Sequence, residues 1–256
     1  MQLVRYQQAS ETHFGYLDGD RVGSLTGDIF GEFVRHRRKT LLAEVTLLAP
    51  VEPGKIIGVE NNFVDRLREM GLPTPDLPRI FIRPPTTVIG PGEAIRLPPQ
   101  SQKVEYAAEL AVVIGKRARQ VAPEEALQVV LGYTCTNDVT ARDLVEQDGM
   151  RARAKSFDTF CPLGPNLTTG LDPVELLITC RVNGETRQMS STRDMLFTVP
   201  QVVAFVSSIM TLLPGDVIQM GSPAGVGVLA DGDAVEVEIE GIGKLSNPVK
   251  AEGSEQ

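Results

Sequence analysis

Residues 109–115 read Glu109-Leu110-Ala111-Val112-Val113-Ile114-Gly115. This apolar run closed by glycine reads as a buried strand. Outward from it the same grammar recurs. Leu131–Asn137 is strand-like, as are Lys55–Val59 and Ile80-Phe81-Ile82. Val217-Ile218-Gln219-Met220 is followed by period-2 alternation over Ala234–Glu240, so the chain ends rich in strand. Near the start, Asp18-Gly19-Asp20 between two strand-like runs predicts a hairpin. Helical patterns are few: 61–70 ending at Gly71, 123–130 with proline at the first helical position, and 199–210. Pro53-Gly54 marks a turn, which sets an expected boundary between a small N-terminal domain, 1–53, and a larger one, 54–256.

Strands dominate and do not alternate regularly with helices, which argues against Rossmann and TIM-barrel folds. Gly225-Val226-Gly227 follows a turn and does not open a βαβ unit, so a dinucleotide fingerprint is missing. The expectation is an α+β protein, a mixed β-roll with a few covering helices.

With 256 residues, 42% hydrophobic and 23% charged, the chain has enough material for one sizeable core. A net charge of -8 repels phosphate backbones and argues against nucleic acid as a partner. The basic cluster Arg35–Lys39 reads as a solvated surface, and a second runs from Arg151 to Lys155. No apolar run reaches membrane-spanning length and Met1–Tyr6 lacks a signal-peptide core, so a cytoplasmic protein without membrane contact is expected. Cys135, Cys161 and Cys180 read as reduced thiols.

Several segments together resemble the fumarylacetoacetate hydrolase superfamily. They are 109–116 (ELAVVIGK), 132–134 (GYT), 137–143 (NDVTARD), 155–165 (KSFDTFCPLGP), 182–184 (VNG), 213–218 (LPGDVI) and 221–227 (GSPAGVG). They occur in the family's order over roughly 55–250. The resemblance implies the family β-roll catalytic domain, a small β-rich N-terminal domain, a homodimer and a small 2-oxo acid or β-dicarbonyl substrate. It also implies Mg²⁺ or Mn²⁺, which binds the enolate oxygen as a Lewis acid, and no organic cofactor.

The resemblance implies a metal site built from a Glu-x-Glu pair and an Asp. Here Glu109 and Asp138 remain, but Ala107 stands at the first glutamate. Glu105 would face the same side if the strand were regular, and is a candidate substitute. No histidine follows His36, whereas hydrolytic members use one to activate water. Glu60 is read at a family asparagine position and is a candidate replacement carboxylate, and Glu69 matches the family glutamate if two residues are inserted between. Val145 stands where hydrolytic relatives carry a glutamine that stabilises an oxyanion, with Gln147 nearby but out of register. The candidate catalytic residues are therefore Glu60, Lys155 and Asp138. Ser222, Gly221, Arg83 and Arg142 are candidate substrate contacts. These departures mark a divergent member.

Three functions follow. One is an acid–base enzyme on an enolisable dicarbonyl or 2-oxo acid, isomerising, decarboxylating or cyclising it with weakened or absent metal dependence, as in a specialised biosynthetic pathway. The second is an ordinary Mg²⁺-dependent C–C hydrolase or decarboxylase. The third is a non-catalytic binding protein on the same fold.

Overall fold

The structure is a computed structural model that describes residues 1–253. Its centre is the strand Ala108–Ile114, all seven residues of which are buried. It lies between Val130–Asn137 and Val217–Gln219 in a 12-stranded sheet. Burial on both faces explains why this strand is a continuous apolar run without alternation. The sheet continues on one side through Ile56–Glu60 to its edge at Arg79–Arg83. On the other it passes through Cys161–Thr168 into four strands of the first 41 residues, ending at Phe33–Leu41. The predicted hairpin forms between Glu11–Asp18 and Arg21–Gly27, with Gly19 at φ +62° in the turn.

A five-stranded sheet is built mainly from the C-terminal third, and a three-stranded one joins Thr140–Ala141, Val104–Tyr106 and Gly227–Val228. Most pairings are antiparallel. Val217–Gln219 with Ile56–Glu60 and Gly243–Ala251 with Ile95–Leu97 are parallel, so the architecture is mixed. Three α-helices occur among the described residues: α1, Val64–Met70; α2, Arg142–Asp148; and α3, Val199–Ile209. The α+β expectation therefore holds at the level of class.

Local expectations need three corrections. Pro123–Val129 is a 3-10 helix, with proline at its start as expected. The helix expected from residue 61 starts at Val64, because Asn61 adopts φ 52° and the Asn62 side chain is spent on main chain. It ends as predicted at Gly71, in the left-handed conformation. The third correction is α2, a helix that has no counterpart among the predicted ones.

Glu105 also needs correction. The strand is not regular there: it stops at Tyr106 and resumes at Ala108, and its two halves belong to different sheets. The freed amides are taken by side chains. Ala107 N–H donates to Asn137 Oδ1 (2.8 Å) and Ala108 N–H to Gln188 Oε1 (2.9 Å). Glu105 is diverted to Arg142 Nε at 2.7 Å and does not stand in for the missing ligand.

Candidate active site

A small cavity of about 50 Å³ opens where the interrupted strand meets the ends of its neighbours. Each wall is placed by a distinct element. Glu60 ends the parallel-paired strand Ile56–Glu60. Ala107 and Glu109 flank the strand break. Asp138 follows Val130–Asn137 and is fixed by its N–H donating to Ala107 O at 2.8 Å. Lys155 comes from a 3-10 turn, Arg153–Lys155, and Ser222 from the turn after Val217–Gln219.

Six residues singled out from sequence line this cavity: Glu60, Glu109, Asp138, Arg142, Lys155 and Ser222. Two others do not. Arg83 is fully buried, its guanidinium donating to Phe160 O and paired with Asp138. It serves as an internal counter-charge and offers nothing to an anionic substrate group. The Gly221 N–H donates to Glu109 Oε2 at 2.7 Å, so it is spent on holding that carboxylate. Gly221 sits at φ +86°, and a Cβ there would lie 2.8 Å from Asn62 Cβ, so this turn needs glycine. His13 and His36 lie on the N-terminal strands and neither lines the cavity. Val145 packs against the core from α2, and Gln147 bonds Arg153.

Two charged lining residues, Arg66 and Arg151, are absent from the candidates read from sequence. Arg66 on α1 pairs with Glu69, which in turn accepts Gly225 N–H at 3.0 Å. Arg151 pairs with Glu60. The basic composition of 151–155 was visible, but the signal that would have placed Arg151 here is the fold bringing residues 60 and 151 together.

At the centre, Asp138 binds Arg83 through one oxygen and Lys155 Nζ through the other. Burial raises its pKa, but the Lys155 and Arg83 charges outweigh this and hold it below the usual carboxylate range. Burial brings the Lys155 ammonium down to about 8, against the pull of Asp138. Burial, then the Asp138 charge, push the Glu109 carboxyl well above its usual range. The Lys155 ammonium also lies 4.8 Å from the centroid of the Phe81 ring, a cation–π contact. That ring is seated on Gly58, where a Cβ would come within 2.0 Å of it.

A hard divalent cation needs several free oxygen ligands. Both oxygens of Asp138 and one of Glu109 are already taken by protein donors, and the third position carries the methyl of Ala107. Among the described residues, no group of three potential ligands is gathered. The residues present do not complete a divalent-cation site.

The family model described as fumarylacetoacetate (FAA) hydrolase C-terminal matches residues 55–250, and one described as Rv2993c-like, N-terminal, matches 1–50. The human mitochondrial oxaloacetate tautomerase FAHD2B is 45% identical, over 81% of this chain and 70% of its own. Among solved structures, 5-carboxymethyl-2-hydroxymuconate delta-isomerase from Mycobacterium smegmatis is 41% identical with a TM-score of 0.93, covering 98% of this chain and 100% of that one. Maleylpyruvate hydrolase from Sphingobium sp. SYK-6, in complex with manganese (II) ion and pyruvate, is 30% identical with a TM-score of 0.83, covering 98% and 99%. The motifs read from the sequence, the buried carboxylate–lysine centre and these matches agree: the chain belongs to the fumarylacetoacetate hydrolase family.

Proposed function

We propose that this protein is an isomerase of the keto–enol type, acting on a small 2-oxo dicarboxylate without dependence on a divalent cation. The observation that carries the reading is the charge arrangement at Asp138. Protein cations, Arg83 and Lys155, occupy the carboxylate that would otherwise face a metal, and Ala107 removes a third ligand. Enolisation moves a proton between carbon and base and places negative charge on the adjacent carbonyl oxygen. Stabilising that charge with a preorganised cation in a buried site is the largest demand of the reaction. Lys155 is suited to it, being an ammonium on the cavity wall held in place by Asp138. Glu60, oriented by Arg151 on the same wall, takes the proton from carbon and delivers it to the enolate oxygen to give the enol, and the reverse transfer restores the keto form. Arg66, Arg142 and Arg151 each pair with one carboxylate of the protein and present the rest of a guanidinium near the cavity, which favours a dianionic ligand.

Such an isomerisation needs no activated water, which accords with a chain that carries no histidine beyond His36. The names of two relatives, an oxaloacetate tautomerase and a hydroxymuconate isomerase, point to the same reaction class.

The test is proton NMR of oxaloacetate in D₂O with catalytic protein. Faster deuterium uptake at the C3 methylene, with no pyruvate formed above the uncatalysed rate, is the expected outcome. Pyruvate accumulation would instead assign a decarboxylase, and absence of either would refute the reading for this substrate.

A further inference from the structure

Behind the cavity wall lies a polar side chain that the mechanism above does not use. Gln188, on the strand Glu185–Ser191 of the five-stranded sheet, is 1% exposed. Its orientation is fixed by its partners. The Ala108 N–H, 2.9 Å away, requires the amide oxygen, and the carbonyls of Pro223 (2.8 Å) and Ala224 (3.4 Å) require the amide nitrogen. The same nitrogen is 2.8 Å from Ser222 Oγ, so Gln188 donates and the serine hydroxyl accepts.

A hydroxyl has one proton. Gln188 donates to one of the two lone pairs of Ser222 Oγ and takes no proton from it, so that proton needs another acceptor. The protein acceptor within reach is Pro223 O at 3.4 Å, long for an O–H···O bond and already served by Gln188. Ser222 lines the cavity, so the open direction for its proton is toward a ligand. The amide also ties down two walls at once, the strand break beside Ala107 and Glu109 and the turn 222–224.

We propose that Gln188 is a positioning residue that makes the Ser222 hydroxyl a dedicated donor into the cavity, so that the ligand atom facing Ser222 is an anionic or carbonyl oxygen. This rests on the enolate-binding reading above and specifies how one substrate oxygen is recognised.

The experiment is calorimetric titration of oxalate, a planar enolate mimic, into wild type, S222A, Q188M and the double variant, with thermal unfolding to confirm that each folds. S222A and Q188M are each expected to weaken oxalate about tenfold, the scale of one hydrogen bond to a charged group, and the double variant no more than either. Should Q188M not fold, Q188N, whose amide falls one methylene short of Ser222, is read in the same way. A Gln188 variant that binds oxalate like wild type, or that weakens it as much with alanine at 222 as with serine, overturns the proposal while the enolate-binding reading stands. Wild type that does not bind oxalate refutes that reading, and the role of Gln188 with it.

Discussion

One side chain at the centre, Ala107, departs from a site built around a metal. Ala107 presents a methyl where a third carboxylate would be needed, and Lys155 holds one oxygen of Asp138. Alanine 107 is therefore the position at which a metal site should be restorable. A107E is expected to bind Mn²⁺ at least tenfold more tightly than wild type, as read by electron paramagnetic resonance of the free ion; equal affinity would mean that the pairing of Asp138 with its cations, and not residue 107, decides. Lys155 makes a second prediction. The groups packed around it are Asp138, Glu109 and Arg83, and its ammonium is brought by burial to about 8. The charged form exists below that value, so turnover should be sustained at lower pH and fall as pH rises through about 8. K155R should lose this alkaline limb, and a profile unchanged between the two would remove Lys155 from the charge-stabilising role. At this scale the sequence was legible wherever a motif kept its residue type, as at Glu109, Asp138 and Lys155. It was less so for Arg83, which reads as a substrate contact until the fold shows it fully buried against Asp138.

Elements determine whether those residues meet. The strands Ile56–Glu60 and Arg79–Arg83 pair so that Gly58 faces Phe81, and Phe81 in turn lies under the Lys155 ammonium. Substituting G58A would drive a methyl into that ring. A loss of about 1–3 kcal/mol of stability is expected from overpacking, accompanied by reduced turnover, and both are measurable by urea unfolding and oxaloacetate assay. Unchanged values would mean that the ring adjusts freely and does not support Lys155. Helix α2 is anchored in its first turn by Asp143, which accepts Ser101 Oγ–H at 2.6 Å, Gln102 N–H at 2.8 Å and Leu144 N–H at 3.0 Å. Burial raises the Asp143 pKa, but these bonds outweigh it and lower it overall. A carboxylate depressed in the folded state stabilises above its unfolded pKa, and the contribution is lost as pH falls through the folded value. D143N should thus be less stable than wild type near neutrality, and the gap should close below about pH 4; a gap independent of pH would assign it to packing. α2 itself escaped the sequence reading because the residues before it belong to a strand and its seven positions bury only Leu144. The irregularity at Ala107 escaped because alternation is read as if strands were unbroken, while the amides freed there are satisfied by Asn137 and Gln188, 30 and 80 residues away.

Across the whole molecule, strands of two of the three sheets line one cavity, and its walls come from segments as far apart as 59 and 226. The class of the fold was legible because the apolar run at 109–114 and the alternation at 234–240 are properties of single segments. The guanidinium-rich wall was not, because Arg66 and Arg151 reach it only through long-range packing. None of the helices among the described residues is long and apolar enough to cross a membrane. The central claim is that the whole fold delivers positive charge to an enolate from its own side chains. Its most direct test is the rate of oxaloacetate enol–keto conversion, followed by ultraviolet absorbance, on protein stripped with EDTA and then supplied with Mg²⁺ or Mn²⁺. The account predicts full activity in EDTA and no gain on adding either ion. Activity abolished by EDTA and restored by the metal would contradict it.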